Sequence, residues 1–320
     1  MNSKGSRIAV IGCGNVGTNT AYTIAARGLC DELVLIDYVK DKAIAEALDM
    51  KDAMAFFNSN MVIRQGDYSD CRDADIVIIS ASAPMAKDSH SRFEMLKPSL
   101  GVVKSCVTSV MESGFDGIFI IISNPVDVMT YYTWKLSGLP AERVIGSGTN
   151  LDSARLRTKI GAIYDVDPSS VDIYVLGEHG DSEFAVWDSA NLGGKKIREL
   201  MKEDPGTGEN TEDSLIAATK QAGWDIFNRK GNTCYGIAAS TTSIAEAILK
   251  NENRIIPVTV RLNGQYGLKD VFLSAPAVLG REGVKSIVEI GFSEEEEAKM
   301  KESARTLEEF YEVLENADDR

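Results

Sequence analysis

The stretch from Arg7 to Gly17 constrains this chain most. An apolar run, RIAVI, is followed at once by Gly12-Cys13-Gly14-Asn15-Val16-Gly17, and then by a helical pattern from Thr18 to Arg27. A GxGxxG set between a strand and a helix leaves few architectures open. Gly12 permits the tight turn, Gly14 lets a pyrophosphate approach the backbone, and Gly17 lets helix and strand pack closely. The helix N-terminus then offers N–H donors to phosphates. Gly12, Gly14, Asn15, Val16 and Gly17 are therefore candidate cofactor-binding residues. The same alternation continues downstream. Runs at Glu32 to Asp37, Met61 to Gln65, Ile76 to Ser80, Ile118 to Ser123 and Val144 to Gly146 read as strands, and Lys42 to Phe56 reads as a helix. Continuous apolar runs such as IVIIS and IFIIIS are what strands covered on both faces look like. The fold class expected is α/β, a doubly wound parallel sheet.

Asp37 closes the second strand, 20 residues after Gly17. A carboxylate there accepts hydrogen bonds from the ribose hydroxyls of NAD and repels the extra phosphate of NADP. Other classes fall away on composition. With 34 Lys+Arg against 48 Asp+Glu, the net charge is −14. Such a chain repels phosphate backbones, so no nucleic acid partner is expected. Five cysteines without a CxxC, and only two histidines, argue against a disulfide framework or metal site. They point to a reducing cytoplasm. The run Ile8 to Ile11 is too short for a signal peptide, and no apolar stretch reaches the roughly 18 residues of a membrane span.

After about residue 148 the pattern changes. Helices are expected at Leu151 to Ile163, Thr211 to Asn228 and Tyr235 to Lys250, and strands at Val171 to Leu176, Ile255 to Leu262 and Val271 to Ser274. A final helix is capped by Ser293, with Glu294 to Glu297 read as its solvated first turn. Within this half lie Gly177-Glu178-His179-Gly180-Asp181-Ser182 and Asn150-Leu151-Asp152-Ser153-Ala154-Arg155. Asp152 and Arg155, three apart, share a helix face. An aspartate holds an imidazole in one tautomer and raises its proton affinity. An arginine fork suits a carboxylate. The set points to chemistry on a small acid beside a nicotinamide.

The segments GCGNVG, ISNPVDV, NLDSARLR, GEHGDS and KGNTCYGIA, in this order and spacing, closely resemble the lactate/malate dehydrogenase family, in its L-2-hydroxyacid branch that acts on lactate and 2-hydroxyisocaproate. The resemblance spans essentially the whole chain. It implies a Rossmann NAD-binding domain over 1–147 and an α+β catalytic domain over 148–320. It assigns His179 as general acid/base, Asp152 as its orienting carboxylate and Arg155 as the substrate-carboxylate clamp. Asn124 would bond near the reacting oxygen, and Asn124-Pro125 is a candidate cis bond. Residues 81–93 match a mobile lid whose terminal Arg92 would polarise the substrate carbonyl. Ile237 would back the nicotinamide ring.

Within the family, an apolar Pro84-Met85-Ala86 in the lid and Thr233 argue for aliphatic 2-oxo acids over oxaloacetate. Met85, flexible and apolar, leaves room for a branched side chain. Malate dehydrogenase is the alternative enzyme. A non-catalytic NAD-binding protein is the alternative of another class, and would have no use for Asp152, Arg155 and His179 together. Many bacterial relatives bind fructose 1,6-bisphosphate through an arginine and a histidine. Here Arg157 matches the former, but Asp172 stands at the latter, so no activation is expected. The resemblance further implies a homo-oligomer, read as a tetramer, and a metal-free site.

Overall fold

The computed structural model describes residues 5–83, 92–203 and 210–318. Met85 and His90 lie outside them. The chain runs β1 (Arg7–Ile11), α1 (Asn15–Ala26), β2 (Glu32–Ile36), α2 (Lys40–Ala53), β3 (Val62–Gln65), β4 (Ile76–Ile79), α3 (Arg92–Glu112), β5 (Ile118–Ile121), α4 (Val126–Ser137) and β6 (Val144–Gly146). It continues with α5 (Asn150–Ile163), β7 (Val171–Asp172), β8 (Val175–Leu176), β9 (Phe184–Ala185), β10 (Asn191–Leu192), β11 (Lys195–Lys196) and α6 (Ile197–Glu203). Last come α7 (Glu212–Lys230), α8 (Tyr235–Leu249), β12 (Arg254–Asn263), β13 (Lys269–Gly280), β14 (Gly283–Ile287) and α9 (Glu294–Asp318).

Two compact units result. The first comprises Met1–Ser147, Cys234–Arg254 and Val278–Ser286; the second comprises Gly148–Thr233, Ile255–Ala277 and Ile287–Arg320. Helix α8 thus belongs to the first unit, so the later portion, 148–320, is not a single compact stretch.

In the first unit six parallel strands stand in the order β3-β2-β1-β4-β5-β6. Ile8 pairs with both Leu33 and Ile76, and Ile76 pairs with Ile118. Every residue of β4 and β5 is buried, which explains their unbroken apolar sequence. The chain leaves β1 for β2 on one side and later returns to β4 on the other. The carboxyl ends of β1 and β4 therefore flank the switch point where doubly wound sheets bind ligands. Helix α3, 21 residues long, was not anticipated from the sequence and carries Pro98 in its interior.

The second unit has a core in which Leu156 and Ile160 of α5 meet Val171, Val175, Trp187 and Leu215. The single strand expected over Val171 to Leu176 is broken: β7 pairs with β10, whereas β8 pairs with β9. The run Val271 to Ser274 lies in the first half of the 12-residue β13.

One correction concerns the glutamate run. Glu296 is buried rather than solvated. Its Oε1 accepts from the backbone N–H groups of Trp187 and Asp188 at 2.8 and 3.1 Å, and its Oε2 accepts from Ser293 N at 2.9 Å. Ser293 Oγ accepts in turn from Glu296 N, completing a capping box at the start of α9. No helix among the described residues is long and apolar enough to cross a membrane.

Candidate active site

In the first unit the glycine loop joins β1 to α1. Gly12 has φ +96°, and a Cβ there would meet Ala81 N at 2.7 Å, so both conformation and space demand glycine. A Cβ on Gly17 would overlap the Gly12 carbonyl oxygen. Gly14 faces open space and caps α1 without any side-chain bond. This is the cradle a pyrophosphate needs: bare backbone, a helix start and no acid in the first turn. Asp37 is half-buried beside it. One carboxylate oxygen accepts from Cys13 N at 2.7 Å and the other from Val39 N at 2.9 Å. The carboxylate is thereby held at the tip of β2, and each oxygen keeps a lone pair for a ribose hydroxyl. The group expected from the sequence, NAD, fits these residues.

Asn124 is exposed in the turn after β5, and the Asn124-Pro125 bond is cis. Ser123 Oγ donates to Ala81 O at 2.6 Å, tying this turn to the one after β4. All five cysteines are free and buried, and burial pushes the Cys13 thiol up to about 12, so it fills the turn as an inert group.

In the second unit α5 and the β8–β9 hairpin bring Asp152, Arg155 and His179 together. Asp152 is only 2% exposed. Its Oδ2 lies 2.7 Å from His179 Nδ1, and its Oδ1 accepts from Arg155 Nη1 at 2.9 Å. Burial pushes the Asp152 carboxyl up, but the imidazole and then the guanidinium more than reverse this and hold it below the usual carboxylate range. Gly223 of α7 lies alongside Arg155: a Cβ there would sit 3.7 Å from both terminal guanidinium nitrogens. The hairpin loop carrying His179 is pinned at both ends. Gly177, at φ +91°, exchanges backbone bonds with Ser274, and Ser303 Oγ of α9 donates to Ser182 O at 2.8 Å.

Sequence reasoning missed Glu183, a buried carboxylate 4.0 Å from His179 Nδ1. Only the hairpin register, which returns the chain past His179, could have pointed to it. Ligand atoms of Asp152, His179 and Glu183 all lie within 4.8 Å of one another. Two of them are already bonded to each other, and Arg155 holds the second Asp152 oxygen.

Of the remaining candidates, Arg92 is the first residue of α3. Thr233 and Ile237 are half-buried, before and within the first turn of α8. Arg157 donates from Nε to Ile173 O at 3.0 Å and lies over the Tyr174 ring, while Asp172 is exposed on β7.

Comparison with known proteins identifies the family. Residues 6–146 match the family model for the lactate/malate dehydrogenase NAD binding domain, and residues 149–316 match that for the lactate/malate dehydrogenase alpha/beta C-terminal domain. The chain is 44% identical over 315 residues to L-lactate dehydrogenase 3 of Bacillus anthracis, covering 98% of this chain and 99% of that protein. It is 42% identical over 301 residues to L-lactate dehydrogenase of Pediococcus pentosaceus, covering 94% and 93%. Among solved structures, the minor L-lactate dehydrogenase from Enterococcus mundtii in its ligands-bound form superposes with a TM-score of 0.93 at 41% identity, covering 97% of this chain and 98% of that one. Both halves match along their length. The chain therefore belongs to the lactate/malate dehydrogenase family, in its L-lactate dehydrogenase branch, and is an NAD-dependent oxidoreductase acting on the CH–OH group of 2-hydroxy acids.

Proposed function

We propose that this enzyme reduces aliphatic 2-oxo acids of the pyruvate type to L-2-hydroxy acids, and runs the reverse oxidation. The observation that carries the reading is the Asp152 carboxylate, which bridges His179 and Arg155 from its two oxygens. With Nδ1 engaged by Asp152, the proton exchanged with substrate is assigned to Nε2. The His179 side chain is 26% exposed, enough to be reached. When bound, NADH supplies the hydride. Arg155 binds the substrate carboxylate with its planar fork, of whose five donors Asp152 takes one. His179 gives its proton to the substrate oxygen, and Asp152 stabilises the imidazolium that precedes this transfer. Arg92 and Asn124 are assigned to the same oxygen by their match to the family pattern. The relatives' names, L-lactate dehydrogenase, support both the substrate class and the L hand.

The substrate range extends to branched acids such as 2-oxoisocaproate, a reading supported by the apolar Pro84-Met85-Ala86 and by Thr233. Steady-state NADH oxidation with pyruvate, 2-oxoisocaproate and oxaloacetate tests it. The expected kcat/KM on a monocarboxylic acid exceeds that on oxaloacetate by at least about tenfold, since an unpaired second carboxylate is costly to bury. Faster turnover of oxaloacetate refutes the reading in favour of a malate enzyme, and no turnover at all refutes catalysis.

The enzyme is also proposed to be independent of fructose 1,6-bisphosphate. Arg157 is engaged by its own neighbours, and the exposed Asp172 carboxylate repels phosphate. A several-fold fall in KM on adding that sugar phosphate refutes this. Cytoplasmic residence is supported by the five free thiols. A homotetramer is supported by exposed apolar residues on α2, Ile44 and Leu48; analytical ultracentrifugation decides it.

A further inference from the structure

The turn after β2 sets an aromatic ring beside the carboxylate read as the ribose ligand. Asp37 Oδ1 accepts from Val39 N at 2.9 Å, and Oδ2 accepts from Cys13 N at 2.7 Å. An aspartate that bonds the backbone two residues on folds its own turn, and Tyr38 stands at the tip of this one. The turn is anchored by β2 on one side and by α2, which begins at Lys40, on the other. Tyr38 is 96% exposed, more than any other aromatic side chain among the described residues, and Val39 beside it is 42% exposed.

A single exposed aromatic needs no explanation by itself; the place of this one supplies it. The glycine loop suits the pyrophosphate, and Asp37 suits the ribose of the adenosine half. The adenine base then lies one glycosidic bond beyond Asp37. Consecutive Cα atoms are about 3.8 Å apart, so a ring on the next residue is within reach of a base held there. Every base has a π-face, and stacking it on an aromatic ring removes apolar surface of both from water. Tyr68, another ring that feels the Asp37 charge, is half-buried, and its hydroxyl donates to Cys106 Sγ at 3.5 Å. Tyr38 instead offers a face to solvent, with the Val39 side chain as an apolar flank.

We propose that Tyr38 stacks on the adenine ring of NAD and so binds the half of the cofactor that takes no part in hydride transfer. The ring supplies the contact and the hydroxyl is not required. The proposal rests on Asp37 binding the adenosine ribose, and its test separates the two.

The probe is ADP-ribose, which carries base, ribose and pyrophosphate but no nicotinamide, titrated calorimetrically into the whole enzyme. Tyr38→Ala weakens its binding by about fivefold or more, the low end of what an aromatic ring contributes per base. The Kd for NADH rises by the same factor, and Tyr38→Phe keeps the parent affinity for both. In protein deuterated except at tyrosine, NOEs join a tyrosine ring to adenine H2 or H8, and Tyr38→Phe abolishes them. Should the alanine variant fail to fold, Tyr38→Ser serves with the same expected loss. An ADP-ribose Kd unmoved in Tyr38→Ala but weakened in Asp37→Ser overturns the Tyr38 proposal alone. A Kd unmoved in both overturns the ribose reading and Tyr38 with it. Equal losses in Tyr38→Ala and Tyr38→Phe assign the effect to the hydroxyl and overturn stacking. A changed sedimentation coefficient in Tyr38→Ala with an unmoved Kd overturns the proposal in favour of a contact between copies of this chain.

Discussion

Replacing Asp152 by asparagine isolates what the buried carboxylate does. The variant keeps the shape but removes the charge shared between His179 Nδ1 at 2.7 Å and Arg155 Nη1 at 2.9 Å. An amide has one accepting end. If its oxygen stays with Arg155, its NH2 faces Nδ1 and suits only a ring unprotonated there; the imidazolium that must donate a proton then meets donor against donor. A charge-assisted bond contributes about 1.5–3 kcal/mol. At 1.36 kcal/mol per decade, losing it from the protonated state lowers kcat for reduction by about 10- to 150-fold. The assay is NADH oxidation with saturating pyruvate across pH, beside NADH binding by fluorescence as a check on the other unit. The decline in rate also moves to lower pH, because the ring holds its proton less tightly. A folded Asp152→Asn enzyme within threefold of the parent kcat, with an unmoved pH profile, refutes the reasoning.

Asp37→Ser should shift the NADPH/NADH ratio of kcat/KM toward NADPH by about tenfold or more, since a carboxylate close to the added phosphate is removed; an unchanged ratio would show that Asp37 does not face the ribose. Glu296→Ala leaves three backbone N–H groups without their carboxylate and should cost about 3–5 kcal/mol in urea unfolding; a loss below about 1 kcal/mol would return this residue to the solvated surface. Acid should destabilise the fold through Asp152 and through Asp70, whose carboxyl the Arg64 side-chain bond holds low. Both are depressed in the folded state, so their contribution is present above the unfolded carboxylate range, near pH 4, and is lost as pH falls below it. Thermal unfolding between about pH 3 and 6 measures this, and Asp152→Asn should flatten the slope.

The first unit was legible because its rules are local. A parallel strand covered on both faces must be apolar throughout, so β4 and β5 announce themselves, and the glycine loop is written by positive φ and close approach at Gly12 and Gly17. The fit of Asp152 to Arg155 followed from one helix turn. Helix α3 was hidden because its start adjoins the lid-like stretch and Pro98 interrupts its pattern. The two-residue strands β7 to β11 carry too few residues for any period to show.

What the residues determined alone was the type of sheet, the nucleotide cradle and the identity of the groups proposed to react, since each depends on neighbours within a turn or a strand. Tertiary structure alone decided which carboxylates stay dry. Asp152 meets His179 across 27 positions and Glu296 meets Trp187 across 109. Burial and partnership at such distances depend on packing between elements, and a string of glutamates in sequence carries no mark of which one will be turned inward.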